Sequence, residues 1–164
     1  MCIRDSAYTL KKRLIENYGE VISYEGKSVY LFPQPEVIAK LTDEDLRPLQ
    51  FSRSKIKYLK NVAQAIVDGE ISKDILSKMT YEDANAKLIE IKGVGNWTAD
   101  YVLMKCLRLP DAFPISDVGV HNAIKFQLGL EQKPTIEEIE KMAKHWQGWK
   151  SYATFYLWHS LLKE

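Results

Sequence analysis

From Leu88 to Asp100 the chain reads Leu-Ile-Glu-Ile-Lys-Gly-Val-Gly-Asn-Trp-Thr-Ala-Asp. An apolar helix end runs into a Gly-x-Gly turn, and Thr98, Ala99, Tyr101 and Val102 restore helical periodicity at once. Two helices joined by so short a turn form a helix-hairpin-helix. The missing Cβ atoms let such a turn bring backbone N–H groups close to a phosphate. Gly-x-Gly also serves as an ordinary helix stop and tight turn, so the motif gains weight only from its surroundings.

Those surroundings are helical almost throughout. The spacing predicts an amphipathic helix over 7–18, with Leu10, Leu14, Ile15 and Tyr18 on one stripe and Gly19 as its stop. Met1 to Ser6 does not extend that stripe and reads as a non-native junction, so the domain is placed at 7–164 and the natural chain is expected to continue further in the N-terminal direction. Val21–Tyr24 and Ser28–Phe32 flank Glu25-Gly26-Lys27, the pattern of a short β-hairpin or an irregular excursion, which Pro33 and Pro35 end. Helices are expected at 35–41, 43–49, 53–68, 72–78 and 81–91, capped by Thr42, Ser52, Ser72 and Thr80 and with Gly69 as a stop. Four more follow the glycine turn, at 96–108, 117–128, 135–146 and 149–162. No internal repeat or low-complexity linker interrupts them.

At 164 residues and 46% apolar composition, the chain can bury one core without disulfides. Cys2 and Cys106 are too few for a disulfide framework, a zinc site or an iron–sulfur cluster. His121, His145 and His159 lack metal-ligand spacing, so no catalytic metal is expected. No apolar run reaches the roughly 18 to 20 residues of a membrane span, and no signal-peptide pattern is present. A protein that works inside the cell and does not associate with membranes is expected. The net charge of +1 does not announce a nucleic-acid binder. Amides and helix N-termini, however, supply partial positive charge that residue counts miss.

After the second helix of the hairpin comes Phe113-Pro114-Ile115-Ser116-Asp117. Asp117 is well placed to cap a helix from Val118 to Leu128, where the helix N-terminus also favours a negative charge. Near the chain's end, Trp146, Trp149, Tyr152, Phe155, Tyr156 and Trp158 crowd one segment, most of them at the spacing of an apolar core face.

Hairpin, helix, short loop and aspartate in this order resemble the helix-hairpin-helix (HhH-GPD) DNA glycosylases, and most closely their 3-methyladenine DNA glycosylase II branch. Trp146-Gln147-Gly148-Trp149-Lys150-Ser151-Tyr152-Ala153 through Leu157-Trp158 is similar to that branch's closing helix. The resemblance covers nearly the whole chain from Ala7. It implies an all-α fold of two helical lobes around a cleft, with the hairpin at its mouth. The resemblance implies that family members carry a further helix with paired glutamines before the first one here, and this sequence is expected to begin after it and after any additional N-terminal β domain.

The same resemblance implies an enzyme of base excision repair that extrudes an alkylated base from double-stranded DNA and hydrolyses its N-glycosidic bond. Asp117 would be the catalytic anion, set against the positive charge that builds on the sugar. Whether it also activates the water is left open. Trp97, Trp158 and Tyr152 would line the base pocket, where an indole attracts a cationic base with about 0.5 to 2 kcal/mol. Gly93, Val94, Gly95, Asn96 and Thr98 would bind DNA through the hairpin, and the carbonyls of Ile89, Ile91 and Val94 would hold a Na+ or K+ ion beside the phosphate. Lys55, Ser54 and His121 are further candidates for phosphate contact, although each is more often a solvated side chain.

In bifunctional relatives a nucleophilic lysine stands where this chain has Trp97. A monofunctional enzyme without lyase activity, acting as a monomer with no organic cofactor, is expected. Two rivals stand beside it: a non-catalytic DNA-binding module in which Asp117 only caps its helix, and a glycosylase for oxidised or mismatched bases.

Overall fold

The computed structural model describes residues 3–162. Within them the chain is all-α apart from one two-stranded hairpin, as the apolar periodicity predicts. It divides into two compact units, one reaching to Ile71 and including Ile91–Gly93, the other comprising Ser72–Glu90 and Val94 onward. No described helix is long and apolar enough to cross a membrane.

The first unit opens with α1 (Ile3–Tyr18). The helix starts four residues before the predicted boundary. Ile3, Arg4, Asp5 and Ser6 break the apolar stripe but include neither Gly nor Pro, so nothing in them stops a helix. Met1 and Cys2 of the expected junction lie outside the described residues.

Strands β1 (Val21–Tyr24) and β2 (Lys27–Tyr30) follow in antiparallel register, Tyr24 opposite Lys27. The loop is the two-residue Glu25-Gly26, with φ of +49 and +74, and not the predicted three. Two positive φ values give a turn whose twist matches the strands. Helices α2 (Pro35–Lys40), α3 (Asp43–Leu46) and α4 (Arg53–Val67) complete the unit. Thr42 and Asp45 form a reciprocal capping box, and Ser52 accepts from the Lys55 amide. Leu14, Ile38, Leu41, Leu46, Ile56 and Ala63 build the core, flanked by Tyr18, Leu49, Phe51 and Leu59.

The second unit holds α5 (Lys73–Leu76), α6 (Tyr81–Ile89), α7 (Asn96–Lys105), α8 (Val118–Leu128), α9 (Ile136–Ala143) and α10 (Lys150–His159). Ser72 and Thr80 cap α5 and α6 as expected. The long helix predicted at 135–146 ends at Ala143, and Lys144–Trp146 forms a 3-10 turn. That turn aims Trp146 edge-on at Phe113, centroids 6.0 Å apart, a packing demand that local propensity does not encode. Helix α7 stops at Lys105 and not 108, because Arg108 takes a φ of +57. Phe113, Val120, Ile124, Ile139 and Ala143 form the core, with Ile115, Met142, Trp146, Leu157 and Trp158 packed on it.

Helices α6 and α7 are joined by a polar clamp. Asp100, only 5% exposed, accepts from Tyr81 Oη at 2.6 Å and Asn85 Nδ2 at 2.9 Å. Burial pushes its carboxyl above the ordinary aspartate value, against the two hydrogen bonds, which pull it down. The loop between α7 and α8 is stitched to the start of α10. The Ser151 amide donates to Pro110 O, its hydroxyl lies 2.8 Å from Ala112 O, and the Gly148 amide reaches Asp111 Oδ1.

Candidate active site

Pro114, Ile115 and Ser116 deliver Asp117 to the start of α8 through a tight turn closed by Asp117 N to Pro114 O at 2.8 Å. There its side chain caps the helix, Oδ1 accepting from the Val120 amide at 2.9 Å. Capping is only part of its environment. Trp97 donates its indole N–H to Oδ2 at 2.7 Å, and Trp158 donates to Oδ1 at 2.8 Å. Three N–H donors from α7, α8 and α10 therefore converge on one carboxylate. A carboxylate offers about four lone-pair sites, so one remains for a water or a substrate atom.

Each indole is fixed from the side. Trp97 stacks on Tyr101 one turn along α7, centroids 5.3 Å apart and planes inclined by 27°. Trp158 meets Phe155 edge-on at 6.0 Å and tilts against Tyr101 at the same distance. The Lys105 ammonium sits 4.1 Å from the Phe155 centroid. Because both indole N–H groups are taken by Asp117, any contact of Trp97 or Trp158 with a ligand falls to their ring faces. Trp97 remains 43% exposed, so part of its ring is open to one. Tyr152, expected beside them, is exposed and pairs with Trp149 at 5.4 Å.

In the hairpin, the two glycines differ. Gly93 has φ +109, and a Cβ there would collide with the Tyr58 ring of α4. Asn61, also on α4, donates to the Lys92 carbonyl at 2.8 Å. Lys55 is exposed one turn before Tyr58 on the same helix. Gly95 has φ −102, and a Cβ on it would meet nothing within 4 Å. The chain turns at Gly93 and is already extended at Gly95. As the N-cap of α7, Gly95 has no side chain to occupy the first amides of the helix, Asn96, Trp97 and Thr98. Among the described residues the carbonyls of Ile89, Ile91 and Val94 accept no hydrogen bond, whereas their neighbour Lys92 does.

His121 is not turned toward a phosphate. Nε2 lies 2.8 Å from Ile115 O and Nδ1 3.1 Å from Pro134 O, so both ring nitrogens face the protein's own backbone. Sequence reasoning overlooked Tyr101, Tyr58 and Gly119. A signal existed for two of them: Tyr101 stands four residues after Trp97, and Gly119 sits in a first helical turn, where glycine is a poor helix former.

Residues 4–148 match the family described as HhH-GPD superfamily base excision DNA repair protein. Over 155 residues the chain is 46% identical to the DNA-3-methyladenine glycosylase of Bacillus subtilis, covering 94% of this chain and 51% of that protein. It is 31% identical over 145 residues to DNA-3-methyladenine glycosylase 1 of Schizosaccharomyces pombe, covering 88% and 62%. The solved 3-methyladenine DNA glycosylase Mag1 of that yeast, in complex with abasic DNA, superimposes with a TM-score of 0.82 at 27% identity, over 99% of this chain and 78% of that one. The 3-methyladenine DNA glycosylase of Archaeoglobus fulgidus gives the same TM-score at 26% identity, over 96% and 52%. The chain spans about half the length of the Bacillus relative.

Proposed function

The chain belongs to the HhH-GPD superfamily of base excision DNA repair proteins, in its 3-methyladenine glycosylase branch, and we propose that residues 7–164 form a monofunctional DNA glycosylase that hydrolyses the N-glycosidic bond of alkylated bases. The observation that carries this reading is the Asp117 carboxylate held by two indole N–H groups and a helix N-terminus. An aspartate serving only as a cap needs the Val120 amide alone.

Duplex DNA is the substrate, and the protein acts on it as a monomer within the compartment that holds the DNA. Gly93, Val94, Gly95, Asn96 and Thr98 hold a backbone phosphate through main-chain N–H groups and the positive end of α7, and Lys55 on α4 is a further phosphate contact. Among the described residues the carbonyls of Ile89, Ile91 and Val94 accept no hydrogen bond, which suits the oxygen shell of a Na+ or K+ ion. When bound, such an ion supplies positive charge beside that phosphate. A damaged nucleotide leaves the stack at a cost of a few kcal/mol, least for a weakly paired lesion. The ring faces of Trp97 and Trp158, with Tyr152, receive the base, and a cationic alkylated ring is favoured over a neutral one.

Asp117 then does the chemistry. As the glycosidic bond lengthens, positive charge gathers on the sugar, and a preoriented anion stabilises that state more than the ground state. The two indole N–H groups spare the carboxylate from reorienting during the step. Its remaining lone pair directs the attacking water to C1′, and an abasic site is the product.

A gel assay on duplexes carrying one alkylated, deaminated or oxidised base tests the reading, with alkali added to reveal abasic sites. Release of the alkylated base by the parent, and none by Asp117→Asn at undiminished duplex binding, is expected, since asparagine still caps the helix but carries no charge. Equal turnover by the two proteins, or duplex binding with no release of any base, removes it.

A further inference from the structure

We infer that His121 is a positioning residue for Asp117, holding through Nε2 the backbone that presents the carboxylate. This rests on the reading of Asp117 as the reacting group. The loop before α8 enters from Phe113, turns at Pro114 and ends at Asp117, whose peptide N–H is tied back to Pro114 O. Within that turn the Ile115 carbonyl meets His121 Nε2 at 2.8 Å, from a residue one helical turn beyond Asp117.

The contact closes a ring. The Asp117 carbonyl accepts the His121 amide at 3.1 Å, and the His121 ring reaches back over Asp117 to Ile115. One residue thereby holds both the Asp117–Val118 peptide, through its amide, and the Ile115–Ser116 peptide earlier in the turn, through its ring. The second ring nitrogen reaches Pro134 O at 3.1 Å, which anchors the imidazole to the loop before α9. We assign the donor N–H to Nε2, the nitrogen with the shorter contact, on the side of Asp117.

Rotation of the Ile115–Ser116 peptide would swing Asp117 out of reach of Trp97 and Trp158, which approach it from α7 and α10. Displacements on the order of 1 Å at a reacting group cost about 100-fold in rate. The Nε2 bond therefore bears on the chemical step and leaves duplex binding at the hairpin untouched.

Glutamine places its amide nitrogen near the reach of Nε2, and asparagine places its own near that of Nδ1. Single-turnover release of 7-methylguanine from a duplex at saturating enzyme separates the two bonds. His121→Asn should slow release by about 30-fold, and His121→Gln should restore it to within about threefold of the parent. Affinity for an abasic duplex should stay the same in both. Should His121→Asn not fold, His121→Met supplies the same length without an N–H and takes its place. Equal rates for His121→Gln and for the variant without a donor at the Nε2 position, or losses that follow the folded fraction alone, overturn the inference. With Asp117→Asn measured alongside, its inactivity beside a fully active His121→Asn sinks only the positioning role. Full activity of Asp117→Asn sinks the catalytic reading itself.

Discussion

A Cβ on Gly119 would stand 3.1 Å from the Trp158 indole nitrogen and 2.8 Å from Asp117 Oδ1. Glycine in the first turn of α8 thus leaves room for the Trp158 to Asp117 hydrogen bond. Alanine there should be favoured as a helix former by roughly 1 kcal/mol. It should nevertheless displace the carboxylate or the indole. Gly119→Ala is expected to melt within a few degrees of the parent, to bind duplex equally well and to release base about 10-fold more slowly. Parental single-turnover rates would show that the crowding is absorbed elsewhere.

The hairpin glycines should fail in different ways. Gly93→Ala puts a side chain at φ +109 and against Tyr58, so it should lose about 1–3 kcal/mol of stability in chemical denaturation. Gly95→Ala has an allowed φ and open space. Its melting temperature should match the parent, while affinity for damaged and undamaged duplexes falls alike, because only an approaching phosphate would meet the new methyl. Unchanged affinity at low salt would remove the phosphate cradle.

These contrasts mark what a linear reading can reach. Asp117 as a cap, the short helix after it and the serine and threonine caps before α4, α5 and α6 were all legible, because a cap is decided within three residues. The grip on the carboxylate was not. Trp97 and Trp158 lie 20 and 41 residues from Asp117, and their N–H groups meet it only after three helices have packed. The family resemblance put Trp158 in the base pocket but was silent on which atom points where. The break at Ala143 was hidden for a similar reason, since Lys144, His145 and Trp146 are acceptable in a helix and Phe113 decides otherwise.

The clamp between α6 and α7 predicts a dependence on pH. Burial raises the Asp100 carboxyl above its ordinary value, so its contribution to stability is full below that value and is lost as pH rises through the raised one. At neutral pH the buried charge is a cost. Asp100→Asn keeps an oxygen for Tyr81 and Asn85 and abolishes the charge. Its melting temperature relative to the parent should therefore rise between pH 4 and pH 7. Asp100→Ala strands the Tyr81 hydroxyl and should lose about 1–3 kcal/mol at either pH. A pH-independent difference for Asp100→Asn would mean that the carboxyl does not titrate differently in the folded state.

Without a lysine at position 97, base release should leave no covalent trace. A lyase forms a Schiff base between an amine and C1′ of the sugar, and borohydride reduces that bond to a stable adduct. Here the position carries Trp97, whose N–H is held by Asp117 and whose nitrogen lone pair belongs to the aromatic ring. The two lysines nearest in sequence are differently placed: Lys92 is exposed in the turn, its carbonyl tied to Asn61, and the Lys105 ammonium rests over the Phe155 ring. On the proposed reading, water directed by Asp117 completes the reaction, and the abasic strand should stay intact until alkali breaks it. Incubation with an alkylated duplex and borohydride should yield no protein–DNA adduct, with strand scission confined to alkali-treated samples. A trapped band that disappears in Lys92→Ala or Lys105→Ala would instead identify a displaced amine as the nucleophile and make the enzyme bifunctional.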